Sequence, residues 1–277
     1  MSALESKQAE DREIEVLLRA VFERYGYDFR DYAFSSLRRR IRRCMQDEML
    51  ESLPEYGAKL LRDAACMEKF LRHMSVAVTT LFRDPAFFRA LRSLAISWLA
   101  SYPFIRVWVA GCSTGEEAYS LAIMFHEAGL YDRTRIYATD ISSVAIAHAK
   151  EGIFPEQDIE TDTKNYQDAG GLGFLSDWYT TAYGSFIMHK ELKENMVFAV
   201  HNLATDSVFN EFHLILCRNV MIYFNERLQA RVHRLIYDSL HLFGILGIGM
   251  KEFLWRSPHE TCYETLDEAN KIYRRVR

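Results

Sequence analysis

The sequence predicts an α/β protein with a parallel sheet and an all-helical segment ahead of it, and three observations carry that reading. Apolar runs of strand length, "IRVWVA", "RIYATD", "MVFAVHN" and "FHLILC", alternate with helical stretches beginning at Glu116 and at "SVAIAHAKEG". Such alternation is the pattern of strands joined by crossover helices that cover both faces of a parallel sheet. Before it, from about Ile14 to His73, apolar residues recur at helical spacing with few strand-like alternations. Between Phe154 and Lys193 the pattern breaks into the glycine- and aromatic-rich "DAGGLGFLSDWYTTAYGSFIMHKEL", which predicts an insertion of short antiparallel strands.

In chain order, "IEVLLRAVFERYG", "FSSLRRRIRRCMQDEM" and "LPEYGAKLLRDAACMEKFLRHM" predict a small helical domain over residues 1–75. Residues 76–90 are expected as a linker, in which β-branched residues lead through Asp84-Pro85 into a long amphipathic helix. The main domain is expected over 91–277, with the insertion at about 154–193.

With 277 residues, 49% of them hydrophobic and 26% charged, the chain has the composition of an ordinary globular protein. A net charge of −4 argues against a general nucleic-acid binder, although an arginine run hides within that average. The charged start "MSALESKQAEDREIE" is no signal peptide, and the most apolar stretch, "LFGILGIGM", is too short to cross a bilayer. A cytoplasmic protein without membrane insertion is therefore expected. Its five scattered cysteines show no C-x-x-C pair and its nine histidines no H-E-x-x-H, so no metal site is expected.

In open α/β sheets ligands sit outside the carboxyl ends of the strands. The candidates are then Gly111 to Glu117 after the first strand, Asp140 after the second, Asn202 after the third, and Arg218 and Asn219 after the fourth. The turn "GCSTG" lacks the full G-x-G-x-x-G spacing of a dinucleotide site, whereas an Asp ending "RIYATD" suits the two hydroxyls of a ribose. Glu116 and Glu117 pose a question, because a helix start usually welcomes a phosphate and acids repel it. A ligand with a ribose and adenine but no phosphate, carrying a sulfonium and an ammonium instead, answers it. S-adenosylmethionine is that ligand, with NAD the competing reading. Gly111 and Gly115 would let the backbone approach its methionine part.

Together "SSLRRRIRRCM", "VTTLFRDPAFF", "GCSTGEEAYSLA", "YATDIS", "FAVHNLATDSVFNEF" and "LILCRNVMIYF" carry a resemblance, in order and along nearly the whole chain, to the chemotaxis-receptor glutamate methyltransferases, the CheR family. The resemblance implies a Rossmann-like S-adenosylmethionine-dependent methyltransferase domain with a small β-insertion, behind a helical substrate-docking domain. It implies methyl transfer to glutamates on the cytoplasmic helices of chemoreceptors, leaving S-adenosylhomocysteine. Cofactor contacts would fall to Thr79, Arg83, Glu117, Asp140, Asn202, Leu203, Asn219 and Val220, beside Gly111 of the turn and the position of Ala77, with Arg83 and Tyr223 beside the transferred methyl. Ala77 stands where the family usually has Asn, and "GMKE" at Gly249 to Glu252 where it commonly has "GHSE", as in a subgroup that shares "GGLGFLSDWY" and "HNLATD".

The carboxylate of such an acceptor, with an ordinary pKa of about 4.3, is already ionised at neutral pH. No general base is needed, and no Ser-His-Asp or Cys-His set is recognisable. On the helix of "SSLRRRIRRCM", Leu37, Ile41, Cys44 and Met45 share one face, and Arg38, Arg39, Arg40, Arg42 and Arg43 are expected to form a basic ridge on another. The resemblance implies that this helix lies against the receptor, with Arg38, Arg39, Arg42 and Arg43 as substrate contacts. Two further readings stay open: a nucleic-acid acceptor, motivated by the arginines, and a degenerate cofactor-binding module, motivated by Ala77.

Overall fold

The computed structural model describes residues 3–74, 79–255, 257 and 259–277. Helices α1 (Ala3–Tyr25), α2 (Phe34–Asp47), α3 (Leu53–Leu60) and α4 (Ala64–Met74) come first. Each turns an apolar stripe inward: Ile14, Leu18 and Val21, then Leu37, Ile41 and Cys44, then Tyr56 and Leu60, then Phe70 and Met74, all buried in one cluster. Asp63 divides the third apolar stretch into two helices, because its Oδ1 accepts the N–H groups of Ala65 and Cys66 at 2.9 and 3.3 Å and starts α4 afresh.

The remainder builds around α5 (Pro85–Leu99), β1 (Ile105–Ala110), α6 (Glu116–Glu127), β2 (Thr134–Asp140) and α7 (Ser143–Glu151). It continues through β3 (Ile153–Pro155), α8 (Ile159–Asp168), β4 (Tyr179–Ala182), β5 (Ser185–Met188), β6 (Met196–Val200) and β7 (Phe212–Cys217). It ends in α9 (Glu226–Ser239), β8 (Leu240–Ile248), β9 (Tyr263–Asp267) and β10 (Ile272–Arg275). The latter part of the stretch expected as a linker, from Pro85, thus belongs to α5, whose first turn tolerates a residue without an N–H.

The large sheet has seven strands in the order β6-β2-β1-β7-β8-β10-β9. Strands β6, β2, β1, β7 and β8 are parallel, but β10 runs antiparallel to β8 and to β9, so the expected parallel sheet has an antiparallel edge. Chain order reverses at β1, which lies between β2 and β7 and places the switch-point crevice beyond its carboxyl end. Strands β3, β5 and β4 form the expected small antiparallel sheet. The insertion also contains α8, a helix that buries Asp162 and Tyr166 rather than an apolar stripe.

Alternation along β1 serves two cores. Val107 and Val109 face the side covered by α5 and α6, while Trp108 and Ala110 face the side shared with α1 to α4 and α9. The helical segment is tied to the sheet domain beside the crevice. Ala33 N–H donates to the Tyr223 carbonyl at 2.9 Å, Asn225 N–H to the Asp31 carbonyl at 2.8 Å, and the Tyr32 and Phe224 rings meet edge-on with centroids 4.9 Å apart.

Candidate functional site

Beyond the carboxyl ends of β1, β2, β6 and β7 lies a cleft enclosing about 640 Å³, part of it open to solvent. Gly111, Asp140, Asn202, Leu203, Asn219, Val220 and Tyr223 line it, and Tyr32 and Met74 close it from the helical side. These residues converge because each follows a different strand of the same sheet, the arrangement that makes a switch point a binding site. Gly111 is forced by space: at φ +79° a Cβ there would stand 2.4 Å from the Val220 side chain.

Asp140 is buried, and burial raises its pKa from the ordinary value against the pull of backbone N–H groups. Its Oδ2 accepts from Ser113 N–H at 3.0 Å and its Oδ1 from Ser142 N–H at 2.9 Å, and the Ile141 N–H bonds it too, so three backbone donors fix the carboxylate and one lone pair is left over. Asn202 Oδ1 accepts from Ala204 N–H at 2.9 Å, turning the chain so that Leu203 enters the wall. Two buried polar atoms in cleft-lining residues, Ser113 Oγ and His201 Nδ1, have no partner among the described residues.

The far wall hangs on Glu252 of "GMKE". Its side chain is buried and accepts four backbone N–H groups: Oε1 from Val220 at 2.8 Å and Met221 at 2.7 Å, Oε2 from Asn219 at 3.0 Å and Gly249 at 2.6 Å. Burial raises its pKa, with those donors opposing. The strained turn they hold includes Asn219 at φ +60°, a conformation that Asn tolerates better than most residues.

The paired acids at the start of α6 have separate tasks. Glu117 receives the buried Arg218 guanidinium at 2.7 Å, and the same guanidinium pairs with Asp84 at 2.7 Å. It also donates to the Arg83 carbonyl at 3.3 and 3.2 Å and lies 4.0 Å from the Phe87 ring centroid. Arg218 therefore pins the "FRDP" stretch to α6. Burial raises the Glu117 pKa while the Arg218 charge opposes. Glu116 accepts from Thr114 Oγ1 at 2.8 Å, and burial pushes its carboxyl up to about 7.

Thr79, Arg83 and Glu117 are not in the described lining of the cleft; Glu117 and Arg83 instead stand together around Arg218. Ala77 lies outside the described residues. The expected ridge of five arginines is corrected. Arg39, Arg42 and Arg43 are exposed, but Arg42 pairs with Glu10 at 2.7 Å, Arg43 with Asp47 at 3.5 Å and the half-buried Arg38 with Asp11 at 3.4 Å. Arg40 turns inward and is 5% exposed. Its Nη1 donates to the Met74 carbonyl and its guanidinium lies 4.2 Å from the Tyr223 ring centroid. The signal was spacing: Arg40 falls three residues after Leu37 and four before Cys44, on the buried face.

Residues 12–75 match the family described as "CheR methyltransferase, all-alpha domain", and residues 77–269 the one described as "CheR methyltransferase, SAM binding domain". The chain is 41% identical over 270 residues to "Putative methyltransferase Cher3" of Pseudomonas putida, covering 98% of this chain and 99% of that protein. To "Chemotaxis protein methyltransferase 2" of Pseudomonas aeruginosa it is 31% identical over 230 residues, 82% of this chain and 79% of that one. A "Chemotaxis protein methyltransferase" of Listeria innocua is 29% identical over 236 residues, 84% and 87% of the respective chains. Among the described residues no helix is long and apolar enough to cross a membrane.

Proposed function

The chain belongs to the CheR methyltransferase family, an all-helical domain followed by a Rossmann-like methyltransferase domain with a β-insertion, and from that premise we propose that it methylates glutamate side chains of chemoreceptors. The observation that carries the reading is the convergence of Gly111, Asp140, Asn202, Asn219 and Tyr223 on one cleft that the helical domain closes with Tyr32 and Met74. S-adenosylmethionine, when bound, supplies an electrophilic methyl carbon on a positively charged sulfur. The residues present fit it: Asp140 keeps acceptor capacity for a ribose hydroxyl, and Ser113 Oγ and His201 Nδ1 are buried polar atoms without a partner among the described residues.

The chain's work is positioning. Asp140 and the turn after β7 orient the donor, while Tyr223 and the helical segment limit where an acceptor side chain can enter. Alignment of two reactants in a water-poor site supplies on the order of 7 to 11 kcal/mol in favourable cases. The exposed Arg39 and Arg43 on α2 suit an acidic receptor helix, steering its approach. The same reading includes the subgroup with "GMKE", supported by the stretches "GGLGFLSDWY" and "HNLATD". The test offers the full chain labelled S-adenosylmethionine with either a chemoreceptor cytoplasmic fragment or RNA. Label in the fragment is expected; label in RNA alone would overturn the acceptor assignment.

A further inference from the structure

Helix α8 of the insertion has an unusual inward face. Where α1 to α4 turn apolar stripes to the core, α8 turns Asp162, Asn165 and Tyr166 toward residues 79–84, the last part of the connection from the helical domain to α5. Leu81 N–H donates to Asp162 Oδ1 at 2.9 Å, and Asn165 Nδ2 donates to the Leu81 carbonyl at 3.1 Å and to Thr80 Oγ1 at 3.4 Å. Two side chains three residues apart on one helix thus take both polar groups of a single buried backbone residue. Beside them the Tyr166 and Phe82 rings meet with centroids 5.3 Å apart, and Phe82 N–H donates to Ser120 Oγ of α6 at 2.8 Å. This backbone needs holding: Phe82 and Asp84 stand at φ +51° and +58°, a region that bulky residues enter only under constraint. The same stretch leads to the cleft. The Arg83 carbonyl and the Asp84 carboxylate hold the Arg218 guanidinium, and the next residue, Asn219, lines the cleft.

We infer that Asp162 and Asn165 are positioning residues for the cofactor cleft: α8 clamps the connection between the two domains, and through Arg218 that clamp sets the Asn219 turn against which the methyl donor binds. The inference rests on the reading of the cleft as an S-adenosylmethionine site and gives the insertion a part in it. Neither side chain is in the described lining of the cleft, so the effect travels through the backbone of residues 81–84 and the Arg218 guanidinium. Asp162 serves as an acceptor rather than as a charge. Burial pushes its carboxyl up to about 7 against the pull of the Leu81 N–H, with Asp158 and Glu116 adding to the rise.

S-adenosylhomocysteine binding is measured by calorimetry, well below the melting temperature, for the full chain and for its Asn165→Ala, Asp162→Ala and Asp162→Asn variants. Each alanine variant is expected to bind about fivefold more weakly, the net worth of one hydrogen bond passed on to the cleft. Asp162→Asn, whose amide oxygen still accepts the Leu81 N–H, should stay within about twofold of wild type. A lowered melting temperature with unchanged affinity in both alanine variants makes α8 a structural brace and overturns the inference. So does a loss of affinity in Asp162→Asn equal to that in Asp162→Ala, because charge rather than the hydrogen bond would then be what matters. If the alanine variants do not fold, wild type carries the test by linkage: S-adenosylhomocysteine should slow amide hydrogen exchange in peptides covering α8, and protection around Asn219 without any in α8 overturns the inference. Absence of S-adenosylhomocysteine binding to wild type overturns the donor assignment of the cleft itself, and the role of α8 with it.

Discussion

Replacing Glu252 by Gln removes one charge behind the wall of the cleft and turns one of two acceptor oxygens into a donor. Each carboxylate oxygen accepts two backbone N–H groups, Val220 and Met221 on one side, Asn219 and Gly249 on the other, at 2.6 to 3.0 Å. An amide can satisfy one pair through its oxygen, but its NH2 then faces the other pair donor to donor, whichever way it is turned. Two hydrogen bonds to a charged acceptor are lost, at about 1.5 to 3 kcal/mol each, so the variant should be destabilised by roughly 3 to 6 kcal/mol. In a protein of this size that lowers the melting temperature by on the order of 10 °C. Asn219, Val220 and Tyr223 line the cleft, so calorimetry should also show weaker S-adenosylhomocysteine binding to the folded variant. An unchanged melting temperature together with unchanged affinity would refute the claim that Glu252 holds the turn.

Asp140→Ala should weaken S-adenosylhomocysteine binding by roughly 1 to 3 kcal/mol in the same calorimeter, because ribose hydroxyls lose their acceptor. Arg218→Met should cost about 3 to 5 kcal/mol in urea unfolding, since it strands the Glu117 carboxylate; adding Glu117→Gln should recover part of that loss. Glu116 titrates near 7 when folded against 4.5 unfolded, so its contribution is complete below about pH 4.5 and disappears as pH rises through about 7. Glu116→Gln should then be more stable than wild type at pH 8, by up to about 3 kcal/mol, and not at pH 4.5, as read from melts at both pH values. Arg39→Ala with Arg43→Ala should raise the acceptor KM, flatten its salt dependence and leave cofactor affinity intact.

The convergence of the cleft was legible because it depends on strand ends alone. β1, β2, β6 and β7 are apolar runs in the sequence, and whatever follows them, Gly111, Asp140, Asn202 and Asn219, must meet at the carboxyl edge. What escaped are pairings over long separations. Arg218 meets Glu117 across 101 residues, and no local pattern announces that partner. Glu252 stood out within "GMKE", yet its four N–H donors come from a turn about thirty residues away and from Gly249. Helix α8 has no apolar stripe, only Asp162 and Tyr166 four residues apart facing inward, so hydrophobic periodicity passes over it. Arg40 was hidden by residue type: in a run of arginines, spacing placed one of them on the buried face and composition suggested that all were outside.

The central claim is that this cleft makes methyl esters, and the chemistry of the product tests it most directly. Wild-type protein is incubated with methyl-labelled S-adenosylmethionine and a chemoreceptor cytoplasmic fragment, and the washed fragment is then exposed to mild alkali. A glutamyl ester releases its label as volatile methanol, whereas methyl groups on nitrogen stay in place. The account predicts label in the fragment that alkali releases, and none in the form carrying Gln at the methylation sites. Label that resists alkali, or no incorporation at all while S-adenosylhomocysteine still binds, would contradict it.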